Sequence, residues 1–528
     1  MTGVRRGALV VLLLALVEAV LLGGHLLHGG LYAEDWLLAA IHHQSGISGV
    51  FNHFYTTQPE RPLGEVYLAL TAALSATNPH THSLWGLLTL LAAASSVYFL
   101  LRSLSLRTVD ALAIVLLFMV FPFSDGAWLW YSASLGYLAI ALAAMGGTLA
   151  VTGLRREGRA AVAYHLGALV LFAASVLTYQ VAAALICLSV LVYLPRMPRR
   201  RAVLLWICDV AAVVLASGLP RVTVGAGKNG PEEIIPVRDW FTHAKLIAEQ
   251  GLKVLAATIV PFGSPHSKIV LAAAVLIACV VALLAWSARA EPELRRWLLV
   301  AAAGAVVIVA AYVVFVPATI SKYQPIAAGR ANRVNMLASL GYVLIAFALA
   351  MTLATSVVRL LGRPPGWAPA IGLAIAALVF VGYVHRTRQD VAAWDRAGTI
   401  QRRELAQLKA AGRPASGTTI YTFAGVGATA VEVPVFQRTV ALNSAVQLLW
   451  NDPTLHAYPI FAGTEMTCTA TEVVPVPAGA NNEAGPAQSA KYRQAVFYDF
   501  RSGRQQLIAS AAECRQAVAS FVPGRVLG

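Results

Sequence analysis

What most constrains this chain is a succession of about eleven apolar runs spread over its first three-quarters. They lie near residues 7–29, 83–101, 109–123, 133–153, 161–177, 179–194, 202–219, 269–287, 297–317, 334–358 and 367–384. A bilayer's hydrocarbon layer is about 30 Å thick and takes roughly 20 helical residues to cross. Inside it every backbone polar group must find its partner within the protein, which leaves a helix for runs of this kind. The pattern excludes a soluble globule and predicts an α-helical polytopic membrane protein. Composition agrees, with 58% hydrophobic and 12% charged residues among 528 and a mean hydropathy of +0.67.

The net charge of +15 raises the question of a nucleic-acid partner, and the placement of the basic residues answers it. With Arg5 and Arg6 on the cytoplasmic side, the inner connections carry Arg102 and Arg107, then Arg155, Arg156 and Arg159, then Arg196, Arg199, Arg200 and Arg201. Arg289, Arg295 and Arg296 follow, then Arg359 and Arg363. This is the positive-inside pattern of a plasma-membrane protein, so the partner is the lipid bilayer and no nucleic acid is expected. The first run is too long for a signal peptide and no small-residue cleavage site follows it, so it stays as an anchor. An odd number of spans then places everything after about Val384 outside. Two domains are expected: a transmembrane part, 1–384, with outer loops 30–82, 220–268 and 318–333, and an extracytoplasmic α/β domain, 385–528. Cys468 and Cys514 both fall in the outer part, where a disulfide can persist; two separate buried thiols are the alternative.

Loop 30–82 opens with Glu34-Asp35-Trp36, where Asp35 is placed to cap a short helix, and continues to Arg61-Pro62-Leu63-Gly64, where Pro62 suits a first helical position. The segment 62–77 reads as lying at the outer interface, and its crossing the membrane would make the span count even. The turn 123–131 is flanked by aromatics; Trp128 and Trp130 there suit a boundary belt, with sugar or lipid stacking the other reading. Thr178-Tyr179-Gln180 puts polar groups at the same outer level. Loop 220–268 reads first as a flap of mixed charge and then, over 240–260, as an amphipathic interfacial helix with Lys245, Glu249 and Lys253 at four-residue spacing. Loop 318–333 carries Lys322, Arg330 and Arg333 on the side that ought to be poor in cations. Two arginines three apart at a helix start form a phosphate site, headgroup contact being the simpler reading for either alone.

These features together resemble the C-type (GT-C) glycosyltransferases, which include the protein O-mannosyltransferases, the aminoarabinose transferases and the oligosaccharyltransferases. The residues carrying the resemblance are Glu34-Asp35 after one span and Arg61-Pro62-Leu63 before an apolar helix. The resemblance implies sugar transfer from a polyprenyl-phosphate donor to a glycan, lipid or protein acceptor on the outer face. In that chemistry a carboxylate takes the acceptor proton and cations hold the departing phosphate. Asp35 is then the base, with Glu34 the alternative; Arg330, Arg333 and Lys322 are phosphate contacts, Arg61 is a further phosphate or structural contact, and Trp128 and Tyr179 line the substrate. No second carboxylate motif of the oligosaccharyltransferase kind is recognisable, which implies a monosaccharide donor and no required cofactor, a divalent metal being the open alternative. His42, His43, His80 and His82 lack the spacing of a strong zinc site. The rival function is a transporter or flippase using the intramembrane acids Glu18 and Asp209; a scaffold presenting the outer domain is the third.

Overall fold

The computed structural model describes residues 3–224, 235–262, 267–287, 292–318, 323–429, 432–462, 464–477 and 488–524. The helices run α1 (Gly3–Leu22), α2 (Gly24–His28), α3 (Glu34–Thr57), α4 (Pro62–Ser75), α5 (Pro79–Ser103), α6 (Thr108–Met119), α7 (Leu135–Gly153) and α8 (Gly158–Thr178). Next come the short α9 (Ala183–Cys187) and α10 (Val190–Tyr193), then α11 (Arg199–Val224), α12 (Val237–Ile259) and α13 (Lys268–Ser287). The bundle ends with α14 (Pro292–Val313), α15 (Ala338–Leu360) and α16 (Trp367–Ala411).

The chain is a multi-pass α-helical membrane protein. Among the described residues, 7 helices are long and apolar enough to cross a membrane, and two more apolar helices are shorter, Thr108–Met119 and Lys268–Leu284. The run expected over 179–194 is not one helix but a 3-10 turn, Gln180–Ala182, followed by α9 and α10. Side chains of α11 stabilise the break: Trp206 Nε1 donates to the Cys187 carbonyl at 2.7 Å, and Asp209 accepts from the Ser189 and Tyr193 hydroxyls, each at 2.6 Å. Helix α4, with 14 residues, is about 21 Å long by the usual rise, short of the hydrocarbon thickness. The amphipathic helix expected over 240–260 is present as α12, which begins at Val237.

Helix α16 has 45 residues and continues far beyond its apolar N-terminal part, so the expected division at 384 falls inside a continuous helix. It leads into the C-terminal domain, where β1 (Thr419–Phe423), α17 (Thr439–Trp450), β2 (His456–Pro459), β3 (Thr464–Cys468) and β4 (Glu472–Pro477) come first. They are followed by β5 (Ala490–Lys491), β6 (Ala495–Asp499), β7 (Gln505–Ile508) and α18 (Ala511–Ser520). Strand β1 pairs in parallel with both β2 and β6, and β7 closes the sheet antiparallel, giving the order β2-β1-β6-β7. Strands β1 and β6 are buried along their whole length, as parallel strands covered on both faces must be. The second sheet, β3-β4-β5, is antiparallel, and a disulfide joins Cys468 at its edge to Cys514 on α18 with a Cα separation of 5.9 Å.

Candidate active site

The C-terminal extension of α16 is the post on which the acidic loop is hung. Arg402 donates to the carbonyls of Gly29, at 3.0 Å, and His28, at 3.2 Å, satisfying the orphan acceptors at the end of α2. His25 Nδ1 meets Asp395 at 2.6 Å, and the Tyr32 hydroxyl donates to the Trp394 carbonyl at 2.8 Å. Only glycine fits at position 30, because a Cβ there would meet the Gly398 Cα and Gln401 Oε1, each at 2.9 Å.

From Tyr32 the chain turns into α3 through Ala33, whose φ of 45° lies in the left-handed range. Asp35 is therefore not the helix cap expected of it but sits within the first turn, its carboxylate directed inward and 1% exposed. Oδ2 accepts the Tyr32 N–H at 3.1 Å and Oδ1 the Ser132 N–H at 3.0 Å. Burial pushes the Asp35 carboxyl up to about 7; the N–H groups of Tyr32 and Ser132 work against that and neighbouring Glu34 adds to it. Glu34 points elsewhere, to Arg438 of the C-terminal domain, with Oε1 2.7 Å from Nη1. The adjacent acids thus have different environments and different work.

Asp35's partner Ser132 lies two residues from Trp130, over whose ring the Arg333 guanidinium sits, 4.7 Å from the centroid. One three-residue stretch therefore holds an acid at one end and a cation at the other. Arg61, before Pro62, is held by Gln180 Oε1 and Gln58 Oε1, each at 3.2 Å, and lies over the Tyr179 ring at 4.4 Å. Arg61 and Tyr179 are thus brought together, as are Arg333 and Trp130. Lys322 lies outside the described residues. The segment carrying Arg330 and Arg333 is not an α-helix start but a 3-10 turn, Arg330–Asn335, so it offers no helix dipole. In a 3-10 turn residues three apart are eclipsed, which keeps the two arginines on one side.

Trp128 and Trp130 do not form a lipid-facing belt, being only 1% and 4% exposed. The Trp128 backbone packs on Gly86, and its ring is enclosed and offers no stacking face. The loop turns inward because Asp125 draws it there. In the 3-10 turn Pro122–Ala127, Asp125 is 1% exposed and accepts from Asn332 Nδ2 and, at 2.9 Å, from Trp394 Nε1. Asn332 Oδ1 accepts the Gly126 N–H at 2.8 Å, and Asn335 Nδ2 donates to the carbonyls of Phe123, at 2.7 Å, and Ile326, at 2.8 Å. Burial pushes Asp125 up to about 6, against the pull of Asn332 and Trp394. Asp125, Asn332 and Trp394 are positioning residues that sequence reading missed, since an Asp before Gly in a short loop reads as a turn former. Glu65 on α4 was missed too: it is 1% exposed, neither carboxylate oxygen has a hydrogen-bond partner among the described residues, and burial pushes it up to about 8. Among the described residues no three His, Cys, Asp or Glu side chains converge as a metal-ion site.

No protein-family model matches the chain, and no curated protein does. Among solved structures it is similar to ArnT from Cupriavidus metallidurans bound to undecaprenyl phosphate, at 11% identity and a TM-score of 0.46, with 85% of each chain covered. It is also similar to the oligosaccharyltransferase AglB from Archaeoglobus fulgidus in complex with an inhibitory peptide and a dolichol-phosphate, at 11% identity and a TM-score of 0.38, covering 86% of this chain and 65% of that one.

Proposed function

We propose that this protein is a membrane glycosyltransferase that moves a sugar from a polyprenyl-phosphate carrier to a hydroxyl-bearing glycan, lipid or protein on the outer face. The observation that carries the reading is the short tie between Asp35 and Arg333 through residues 130–132. Two residues of chain span at most about 7 Å, so the Asp35 hydrogen bond and the Trp130 side chain that carries Arg333 spring from one short stretch of backbone. A carboxyl poised near neutrality is matched to general-base work at physiological pH. In the reaction the acceptor oxygen bonds to the anomeric carbon and its proton passes to Asp35. The bond from that carbon to the phosphate oxygen breaks, and the lipid phosphate leaves with the electron pair, its charge held by Arg333 and Arg330. Arg61, stacked on Tyr179, offers a further cation to the same anion. Lys322 belongs to this proposed set by its place in loop 318–333, and no step assigned here uses a metal.

The test is release of lipid phosphate from a panel of polyprenyl-phosphate monosaccharides by the purified protein in nanodiscs, against Asp35→Asn. One donor should turn over, with the variant at least 100-fold slower while donor binding persists. Binding without turnover when acceptors are supplied, or an Asp35→Asn variant as fast as the parent, overturns the reading. The transport alternative is favoured by Glu18, which is 5% exposed within α1 and has no hydrogen-bond partner on Oε1 among the described residues; loss of lipid-carrier translocation in Glu18→Gln would mark it.

A further inference from the structure

The C-terminal domain meets the candidate site through segment 432–438, the part of the β1–α17 connection that leads into α17. Its contacts pass from one side of the site to the other. The Glu432 carbonyl accepts the Arg330 N–H at 3.5 Å, on the cationic loop. Phe436 lies against Trp36, ring centroids 6.0 Å apart, and Arg438 pairs with Glu34, both on the acidic side. Between them the Val435 carbonyl accepts from Gln401 of α16 at 2.8 Å. Beyond the segment, α17 continues along α3, with Asn451 Oδ1 2.7 Å from His43 Nε2 and Gln447 Oε1 3.3 Å from Gln44 Nε2. A domain merely tethered by α16 would not need contacts to both loops within seven residues.

We infer that segment 432–438 is a strap completing the active site, and that Arg438 is a positioning residue acting on Asp35 through Glu34. This rests on the transferase reading above. Glu34 and Asp35 are adjacent in the first turn of α3, so fixing Glu34 fixes the turn that aims Asp35. The Arg438 guanidinium also offsets the anionic charge beside the base. The other titratable groups facing Asp35 are the phenols of Tyr32, Tyr67 and Tyr131. A phenol ordinarily carries no charge below about pH 10, so between pH 5 and 9 Glu34 and Arg438 are the charges that can be altered.

Two substitutions separate electrostatic positioning from simple scaffolding. Arg438→Gln leaves Glu34 uncompensated, which disfavours the Asp35 anion and moves the acid limb of the activity profile to higher pH. Glu34→Gln removes that repulsion and moves it to lower pH. Each shift should be about half a pH unit or more at the effective dielectric of a partly buried pair. Arg438→Lys, which keeps the charge, should restore the parental limb. Opposite shifts support the inference; unshifted limbs, or both moving the same way, overturn it whatever happens to the maximal rate. Hydrogen exchange in nanodiscs gives a readout independent of turnover. Amides 34–38 should exchange at least tenfold faster in Arg438→Gln than in the parent, and unchanged protection overturns the strap. A parent protein with no transferase activity removes the reading on which the pH test rests, and the exchange result then decides the strap alone.

Discussion

Asp35 is held by two backbone N–H groups, one on each carboxylate oxygen, and this decides what its substitution means. An amide at that position has one acceptor where the carboxylate has two, so Asp35→Asn must turn a donor toward the N–H of Tyr32 or of Ser132. Folding therefore has to be checked alongside activity in that variant. The folded pKa of Asp35, about 7, lies above its ordinary value of 3.8, so the base form, and with it turnover, should be lost as pH falls through about 7. Glu65 obeys the same linkage with a different outcome. Its folded value near 8 lies above the model-peptide 4.5, so its burial weakens the fold progressively as pH rises from about 4.5 to 8, the range in which the unfolded carboxyl ionises first. Glu65→Gln should therefore raise the thermal midpoint at pH 8 and change it little at pH 4.5, measured in detergent; a fall at pH 8 would mean that the carboxylate has a partner when folded. Ala33 carries a third cost. At φ 45° and ψ −112° it occupies a region that side chains avoid, at roughly 1–3 kcal/mol. Ala33→Gly should stabilise the protein by about 1 kcal/mol and Ala33→Val should destabilise it by more, read from the same melts.

Between elements, the two 3-10 turns Pro122–Ala127 and Arg330–Asn335 behave as one unit, pinned by Asn332. Replacing Asn332 by Ala removes an acceptor from a buried N–H and a donor from a buried carboxyl. Losing one neutral and one charge-assisted hydrogen bond costs about 2–4 kcal/mol. The two loops carrying Trp130 and Arg333 should loosen with it, so Asn332→Ala should bind a polyprenyl-phosphate probe more weakly even at temperatures where it is fully folded. Unaltered affinity would separate this unit from the site. Local signals were legible here wherever they concern a single element: Pro62 opens α4, and the 240–260 periodicity is α12. What could not be read depends on partners far apart in sequence. Arg438 is 404 residues from Glu34, and Trp394 is 269 from Asp125. Nothing in either neighbourhood signals the other. The break in 179–194 was invisible for the same reason, since its freed carbonyl is satisfied by Trp206 on another helix.

For the molecule as a whole, the contacts between Glu34 and Arg438 and between α3 and α17 mean that the acidic loop and the C-terminal domain share one side of the membrane. Whatever locates the domain therefore locates the site, independently of how many helices cross. The positive-inside expectation reads that side as outside, and a Cys468–Cys514 bond fits an oxidising compartment. The bond closes a loop of 46 residues, worth about 4 kcal/mol to the folded domain in the chain-entropy account. In intact cells a membrane-impermeant maleimide should leave Cys468, the partly exposed partner, unlabelled, and should label it once an impermeant reductant is added. Labelling that needs permeabilised cells would put the domain, and Asp35 with it, in the cytoplasm. That outcome would invert the topology and remove the outer-face acceptor from the proposed reaction. Because the disulfide joins β3 to α18 rather than the segment 432–438, reduction should lower the melting temperature of the domain while leaving the acid limb of turnover where it was. A limb that moved on reduction would show that the strap is held by the whole domain and not by its own contacts with the two loops.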